Sequence, residues 1–484
     1  MQSSEFHTEA RQETQPLKQV GMLAGLLCLL CLGNVPRVRA QQTVTVSPGQ
    51  NLQQLVNQYG PNTTFSFTPG IYYMQSIVPR SYDSFVGPRN AILSGATLLT
   101  SFSQNGNYWV AWAPVKQAGS YPGQCGGNNP ACMYPEDLFF NNVVKTRVTT
   151  LSAVGPGKWY LDYSTGNVYM GDSPFGSTVE ISVLPSAFSG TAPNVTINGL
   201  TIEKYACLGG SGAVNSGGAG SNYWSVSGNE VRYNHGIGIQ TGNGIYIHDN
   251  YVHTNGELGI GGQGTNMTVQ SNEIAWNNYA DYTIYNEGGG AKFTSAQNIT
   301  FRYNYSHDNI GPGFWTDLNS QNILCDSNRF SGNQVAGALI EISSAATVSN
   351  NYVLNDGYNP DGPGIWWGDA ILISDSTNVS VYFNTVTNCM NGIVGLLANR
   401  GNGPNGQPYL LQNVNVNSNW ITQTSGIAAG IGIEGTGFDN SVYTSWGNQF
   451  QYNSFYLGNP NGNYFYWMGY PMSFSSWGTV LTGL

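Results

Sequence analysis

Two carboxylates in strand-like stretches of the sequence have the residue types that acid–base chemistry requires. Asp317 occurs in GFWTDLN and Glu341 in GALIEIS, and each lies four residues after a glycine. If the two strands stack in equivalent positions, the carboxyl groups are separated by one rung, about 5 Å. Like charges at that distance raise one pKa and leave the other group ionised, which is the division that glycoside hydrolysis requires.

The element that must position these acids is a short strand repeated along the chain. Each copy has alternating strand character with asparagine at the sixth place, and the spacing between copies runs from 21 to 35 residues. Such a repeat, without long amphipathic helical segments, predicts an all-β fold, a right-handed parallel β-helix. We expect its asparagines to adopt left-handed turns and to form a structural hydrogen-bonded ladder. They are Asn229, Asn250, Asn272, Asn304, Asn328, Asn351, Asn384 and Asn419.

The chain divides into five predicted segments. Residues 1–40 contain an apolar run (20–33) after Lys18 and resemble a secretory signal peptide, which predicts a secreted or periplasmic protein without a membrane span after cleavage. The other segments are an N-terminal cap with the first coils (41–100), an inserted β subdomain (101–190), the coils that carry the site (191–435) and a C-terminal cap (436–484).

Cysteine usage fits an exported protein. Cys125 and Cys132 close the short loop CGGNNPAC, for which we predict a disulfide. The remaining cysteines after residue 40 are scattered singly, and neither a CxxC pair nor a histidine cluster suggests zinc. We therefore predict no cofactor.

The composition favours an uncharged ligand. The net charge of −10 argues against nucleic acid or an anionic membrane as a partner. An acidic polymer would need a local basic site or Ca²⁺ to compensate, so a neutral oligosaccharide or polysaccharide is the easier substrate.

The repeat resembles that of the pectin-lyase-like β-helix superfamily over about residues 190–435, a resemblance that specifies fold rather than activity. Within it, WTDLNSQNI followed by IEIS resembles the motif pair of glycoside hydrolase family 120, the retaining β-helix β-xylosidases. The resemblance implies that Asp317 is the nucleophile and Glu341 the general acid/base. It covers about 30 residues plus the shared fold, and the chain departs from the family pattern at SSAA (343–346), which leaves the sugar open.

Other residues near the pair are candidates for substrate binding. Lys292 is expected one coil earlier, diagonal to Asp317, where it could bind a sugar hydroxyl or form a salt bridge. Glu287 precedes three glycines that allow close approach of the backbone to a ligand. Trp315, Trp366 and Trp367 would provide stacking platforms for pyranose rings.

Side chains alternate between the two faces of a strand, so the residues on either side of Trp315, Asp317, Leu339 and Glu341 should face the interior. Counting from the glycine of each strand, Phe314, Thr316 and Leu318 fall on the inward side, as do Ala338, Ile340 and Ile342.

Two other functions remain open from the sequence. In a polysaccharide lyase, Lys292 would be the base, with Ca²⁺ held by Glu287, Asp317 and Glu341. The sequence offers no evident arginine near the site for that reaction, since Arg302 and Arg329 lie on the asparagine strands. In a non-catalytic carbohydrate-binding protein the tryptophans alone would line the groove.

Overall fold

The chain winds repeatedly through three parallel sheets and contributes a strand to each in turn, so that successive turns stack into a parallel β-helix. The structure, a computed structural model, describes residues 41–115, 119–121, 124–358, 365–438 and 440–482. The predicted signal peptide, residues 1–40, lies outside the described residues. The architecture confirms the all-β prediction and the inserted small β subdomain.

The first sheet carries the strands that precede the asparagines of the repeat. Its strands are Gln42–Val46, Thr63–Phe67, Ser84–Val86, Thr196–Asn198, Ser225–Ser227, Tyr246–His248, Thr265–Gln270, Gln297–Arg302, Gln321–Asp326, Ser344–Ser349, Thr377–Tyr382, Gln412–Asn417 and Gln449–Gln451.

The second sheet carries the short strands that follow those asparagines. Its strands are Gly70–Tyr73, Ala91–Ser94, Thr201–Glu203, Glu230–Arg232, Tyr251–His253, Glu273–Ala275, Tyr305–His307, Arg329–Ser331, Tyr352–Leu354, Thr385–Thr387, Trp420–Gln423 and Ser454–Leu457.

The third sheet carries both predicted catalytic residues. Its strands are Phe188–Ser189, Gly212–Ser221, Ile237–Asn243, Leu258–Gly262, Gly289–Thr294, Phe314–Asp317, Ala336–Glu341, Asp369–Ser374, Asn391–Leu397, Ala429–Ile433, Asn463–Trp467 and an antiparallel last strand, Tyr470–Ser473.

The predicted asparagine ladder runs along the turn between the first two sheets. Asn250 accepts hydrogen bonds through its Oδ1 from the backbone N–H and the Nδ2 of Asn229, both at 3.0 Å. The pattern repeats up to Asn419 and continues to Asn453. The left-handed residue is the one before each ladder asparagine, such as Ser271 with φ 55°. This corrects the expectation that the asparagine itself adopts that conformation.

A second ladder, not foreseen from the repeat, runs five residues further along each rung. Asn255 accepts from the Nδ2 of Asn234 at 3.0 Å, and the same contact recurs through Asn277, Asn309 and Asn333. This ladder ends at Asp356, whose Oδ1 accepts from the backbone N–H and the Nδ2 of Asn333. Both ladders satisfy buried polar groups at the corners of each turn.

The interior is filled by inward-facing apolar side chains of all three sheets. Phe293, Phe314, Ala338 and Ile340 belong to this continuous core, as the alternation predicted. Leu318 does not: its side chain is 47% exposed, because the strand ends at Asp317 and Leu318 turns out of the sheet with φ 49°. Ile342 is buried, but it also lies beyond the end of its strand, with φ 34°.

The inserted subdomain is a sheet of mainly antiparallel strands with its own small core. Its strands are Ala96–Leu99, Ser103–Asn105, Tyr108–Trp112, Leu138–Phe140, Val143–Arg147, Lys158–Asp162, Asn167–Met170 and Val179–Ser182, with a 3₁₀ turn at Leu151–Ala153. Its strands therefore span 96–182, where the sequence analysis placed the subdomain at 101–190.

Caps cover both ends of the described β-helix. The helix Leu52–Gln58 buries Leu52 and Val56 against the first coils. At the other end the parallel rungs continue to Asn463–Trp467, beyond the predicted limit of 435, because Asn453 extends the ladder where the repeat had become hard to see. The helix Ser441–Thr444 lies before the last coil and the helix Phe474–Thr482 lies after it, and Trp477 stacks on Phe465. Among the helices of the described chain, none has the length and apolar character needed to cross a membrane.

Candidate active site

Three consecutive strands of the third sheet bring the predicted site residues together. The strand register pairs Lys292 with Trp315, and Thr294 with Asp317. The next rung pairs Trp315 with Leu339 and Thr316 with Ile340, which places Glu341 beside Asp317. Neighbouring parallel strands are about 4.8 Å apart, so the two carboxylates end adjacent rungs and face the same side of the sheet.

Asp317 is surrounded by groups that stabilise a negative charge. The Lys292 ammonium lies 2.9 Å from Oδ2, and the backbone N–H of Leu318 donates to Oδ1 at 2.7 Å. The left-handed turn at Leu318, which exposes that side chain, is what aims the N–H at the carboxylate. Asp317 thus ends its strand with an ammonium against one carboxyl oxygen and a backbone N–H against the other.

Glu341 has a different environment and is almost fully buried. Trp315 donates its indole N–H to Oε2 at 3.0 Å, and Nη1 of Arg400 lies 2.7 Å from Oε1. Burial and the neighbouring charge of Asp317 raise the pKa of Glu341 to about 7, although Arg400, Lys292 and the Trp315 hydrogen bond act in the opposite direction. Glu341 can thus carry a proton near neutral pH, whereas the carboxyl of Asp317 beside it contacts the Lys292 ammonium.

Lys292 and Trp315 link the two acids. The Lys292 ammonium lies 3.4 Å from the centroid of the Trp315 ring and also donates to the carbonyl oxygen of Asn286. Trp315 is only 2% exposed, and one face of its ring is taken by Lys292. Trp315 therefore positions Glu341 rather than providing a stacking platform, which corrects the sequence prediction.

The other two tryptophans form the wall on the side of the later rungs. Trp366 is 6% exposed and packs against Tyr466 and the backbone of Gly432, so it too is a packing residue rather than a platform. Trp367 is partly exposed and donates its indole N–H to Glu434 at 3.3 Å. Of the three tryptophans, Trp367 alone keeps an exposed surface for a sugar in this structure.

A cleft of about 290 Å³ opens on the side of the earlier rungs. Lys292 and Leu318 lie at its border with the carboxylate pair, and Glu287 lines it. Tyr121 of the subdomain reaches into the cleft and donates to Oε1 of Glu287 at 3.3 Å. Burial raises the pKa of Glu287, so this carboxyl and the Tyr121 hydroxyl can exchange hydrogen bonds with sugar hydroxyls.

Glu257, which the sequence analysis did not single out, also lines this cleft. Both of its carboxyl oxygens accept from the backbone N–H of Gly210, at 3.0 and 2.8 Å. Complete burial raises its pKa to about 8, with a smaller contribution from Glu287. A protonated carboxyl at neutral pH is a donor as well as an acceptor, which suits recognition of neutral hydroxyls.

The loop closed by Cys125 and Cys132 joins the subdomain to this cleft. Cys125 and Cys132 form the predicted disulfide. Within this loop the backbone N–H groups of Asn128 and Asn129 donate to the carboxylate of Asp281, at 2.9 and 3.0 Å. Because Asp281 precedes Glu287 in the same loop, these contacts also hold the cleft wall.

A larger groove of about 540 Å³ lies between the subdomain strand Val143–Arg147 and the turns around Tyr233. At its floor both ring nitrogens of His235 are engaged in hydrogen bonds, with Asp137 at 2.9 Å and with the carbonyl oxygen of Cys132 at 2.7 Å. These bonds join the coil that carries His235 to the subdomain. None of the predicted site residues lines this groove.

The ligand set of the Ca²⁺ alternative is not assembled. Within the described residues, no three His, Cys, Asp or Glu side chains converge in a way that could hold a metal ion. Lys292 instead provides the positive charge beside Asp317. The expectation that no arginine lies near the site was wrong, since Arg400 reaches Glu341 from a loop distant in sequence.

Comparisons with known proteins agree with the fold. A family model described as a right handed beta helix region matches residues 212–386, which gives the hand of the helix. The chain is similar to a solved structure described as the complex of XylC with xylose, at 12% identity, covering 86% of this chain and 83% of that one, with a TM-score of 0.61. It is also similar to the A-module of the Azotobacter vinelandii mannuronan C-5 epimerase AlgE6, at 11% identity and 84% and 88% coverage, with a TM-score of 0.42. No curated protein sequence matches the chain.

Proposed function

We propose that this protein is a retaining glycoside hydrolase that removes a neutral sugar by double displacement, with Asp317 as nucleophile and Glu341 as general acid/base. The observation that carries the proposal is the pair of carboxyls on adjacent rungs in opposite environments. Rungs about 4.8 Å apart fit the separation of about 5–5.5 Å in retaining enzymes better than that of about 6.5–9.5 Å in inverting ones.

The reaction balances with these residues alone. An Asp317 oxygen forms a bond to the anomeric carbon as the bond to the leaving oxygen breaks, and that oxygen takes the proton of Glu341. Glu341, now a carboxylate, then removes a proton from water, whose oxygen attacks the same carbon. The ester bond breaks and the Asp317 carboxylate is restored.

The substrate follows from the cleft and from the resemblance of the motif pair. The cleft offers hydrogen-bond donors and acceptors from Glu287, Glu257 and Tyr121. These three residues carry no positive charge that would attract an anion, which favours a neutral sugar. The β-xylosides of family 120 are the first candidates, and the xylose named for the similar solved structure supports the same choice.

Lyase chemistry is less well supported. Lys292 would have to lose its proton to act as a base, but a carboxylate, a carbonyl oxygen and an aromatic face all surround its ammonium. These contacts all engage the ammonium group, and an ammonium has no lone pair for abstracting a proton.

An exported location belongs to the same proposal. The signal-like segment 1–40 predicts export, and the bond between Cys125 and Cys132 is of a kind that persists in oxidising compartments.

A panel of aryl glycosides, with β-xyloside first, tests the proposal. We expect hydrolysis by the wild type, none by Asp317→Ala, and a loss of about 10²–10⁴-fold in kcat for Glu341→Gln on substrates with poor leaving groups. Activated dinitrophenyl glycosides should need the acid less, so Glu341→Gln should recover part of its rate on them.

Glu273→Gln is the matched control, because Glu273 lies on the second sheet, half exposed and away from the cleft. Products with unsaturated uronic ends, or full activity in Asp317→Ala, would contradict the proposal. Glycan binding without turnover across the panel would favour a carbohydrate-binding protein instead.

A further inference from the structure

Arg400 approaches the carboxylate pair from the side opposite the cleft. It follows the strand Asn391–Leu397, which lies two rungs beyond the strand that ends in Glu341. The cleft lined by Glu257 and Glu287 lies on the rungs before Asp317. The carboxylate pair therefore separates a sugar-sized cleft on one side from a guanidinium on the other.

The loop that carries Arg400 is anchored on both sides of the arginine. The backbone N–H of Ala398 donates to both oxygens of Asp375, at 3.0 and 3.1 Å. Further along, the hydroxyl of Tyr409 donates to Oδ1 of Asn319, at 2.8 Å, next to the turn that follows Asp317. These contacts present Arg400 at a fixed place beside the site.

Arg400 keeps capacity for a further ligand. Its side chain is 34% exposed, whereas Glu341, its ionic partner within the described chain, is 1% exposed and is reached through Nη1. A guanidinium carries five N–H donors in a planar fork that matches a carboxylate. The exposed part of the fork thus faces solvent at the position where a leaving group would emerge.

Resting on the proposed function, we propose that Arg400 selects a leaving group that bears a carboxylate, so that the enzyme removes a neutral sugar from a uronic acid residue. In a retaining hydrolase the general acid lies over the glycosidic oxygen, between the sugar in the cleft and the leaving group. Arg400 contacts that acid from the leaving-group side, where the carboxylate of a uronic acid can form a charge-assisted pair with it.

The pairing also assists the acid. Glu341 faces Asp317, Lys292, Trp315, Arg400 and, more distantly, Asp375, and of these Arg400 and Lys292 are the cations that favour its ionised form. A substrate carboxylate that engages Arg400 offsets one of those cations, so Glu341 keeps its proton more readily for the leaving oxygen. A neutral leaving group has no such effect.

Local charge explains how an acidic protein can accept such a substrate. The net charge of −10 repels polyanions in general, and the neutral donors and acceptors of the cleft do not attract them. A single uronic residue next to the scissile bond meets Arg400 at short range, where screening by salt is weaker than over the whole surface.

The test compares two disaccharides that differ at one group: β-xylosyl-(1→4)-glucuronic acid and its C6 carboxamide, which is neutral and nearly isosteric. We expect the wild type to have a kcat/KM about tenfold to a hundredfold higher for the acid, the range of one charge-assisted hydrogen bond. The ratio should fall towards one in Arg400→Gln, recover partly in Arg400→Lys, and decrease with added salt.

Arg302→Gln is the control, because Arg302 lies on the first sheet and bonds Gln270 away from the cleft. It should keep the wild-type ratio. An unchanged ratio in Arg400→Gln, with folding verified by thermal unfolding, or a wild type that prefers the carboxamide, would overturn the inference. The aryl glycoside panel separates the two proposals. If the wild type hydrolyses aryl β-xylosides but shows no acid preference, the inference alone fails, and if it hydrolyses no aryl glycoside of the panel, the proposed function fails.

Discussion

The pKa of Glu341 is raised by some neighbours and lowered by others, and the balance decides whether this residue can act as an acid and then as a base. Burial and Asp317 disfavour its carboxylate, whereas Arg400 and Lys292 favour it. The result is a group with a pKa of about 7, high enough to donate a proton near neutrality and low enough to act as a base afterwards. Asp317 instead has an ammonium against one carboxyl oxygen and a backbone N–H against the other.

This balance predicts the alkaline side of the activity profile. Because the free enzyme needs Glu341 protonated, kcat/KM should fall as the pH rises through about 7. Removing the positive charge in Arg400→Gln raises the pKa of Glu341, so the same decline should move to higher pH. The measurement is kcat/KM on an aryl glycoside from pH 4 to 9 at constant ionic strength. A profile that is flat up to pH 9, or a decline that moves to lower pH in the variant, would contradict the account.

The sequence predicted that Asp317 and Glu341 lie side by side, but not all the groups that surround them. The proximity of Asp317 and Glu341 could be predicted because both lie at the same distance from a glycine in strands of one repeat. Stacking of those strands brings the two residues together. The contact of Arg400 with Glu341 could not be predicted, since Arg400 lies 59 residues after Glu341 in a loop without strand periodicity. The position of Tyr121 depends on how the subdomain packs, which no local pattern encodes. Glu257 lies just before the strand Leu258–Gly262, not four residues after a glycine as the two acids do.

At the scale of the element, the corner ladders explain why the coils stack in one register. Each ladder amide receives hydrogen bonds from one rung and donates to another, so a slipped rung leaves buried polar groups without partners. The first ladder was visible in the sequence; the second has the same repeat five residues later and could have been found by the same count. Leu318 was misplaced because alternation continues only while the backbone stays extended.

Asp356 is the exception within the second ladder. In the preceding rung the Nδ2 of Asn333 donates to the carbonyl oxygen of Ser306. Asp356 has an oxygen where the amide nitrogen would be, and this Oδ2 has no hydrogen-bond partner within the described residues. Burial raises the pKa of Asp356 well above its ordinary value, which is consistent with a proton on that oxygen.

Asp356→Asn should therefore stabilise the protein at pH 7, by about 1–2 kcal/mol, because it supplies a donor without requiring a carboxyl to remain protonated. The gain should shrink near pH 4, where the carboxyl is protonated without that cost. Chemical denaturation at both pH values measures it. Asn333→Asp, one rung earlier, is the control and should destabilise the protein at pH 7. A loss of stability in Asp356→Asn, or a gain independent of pH, would argue against a protonated Asp356.

At the scale of the whole molecule, several carboxyls are buried with raised pKa values. Burial raises the pKa of Glu257 to about 8 and that of Asp375 to about 7, and Glu341 lies near 7 as well. The native state thus holds more protons than the unfolded chain between about pH 4.5 and 8, so its stability falls as the pH rises through that window. Glu230, with a pKa lowered to about 2 chiefly by its hydrogen bond with His253, acts in the opposite sense only below that window.

The thermal midpoint should accordingly be higher at pH 5 than at pH 8. Calorimetry or circular dichroism at constant ionic strength measures this, provided that unfolding is reversible enough for the comparison. Glu257→Gln should reduce the difference, because it removes one of the protons lost on unfolding. A midpoint that rises from pH 5 to pH 8 would show that the buried acids are ionised in the native state.

The central claim is that Asp317 and Glu341 act together in a double displacement, and the configuration of the first product tests it most directly. Proton NMR during the first minutes of hydrolysis of an aryl β-xyloside, or of the best substrate in the panel, resolves the two anomers before they equilibrate. We expect the initially released sugar to have the same anomeric configuration as the substrate. Initial release of the opposite anomer would contradict it, because inversion requires one displacement by water and leaves no role for Asp317 as nucleophile.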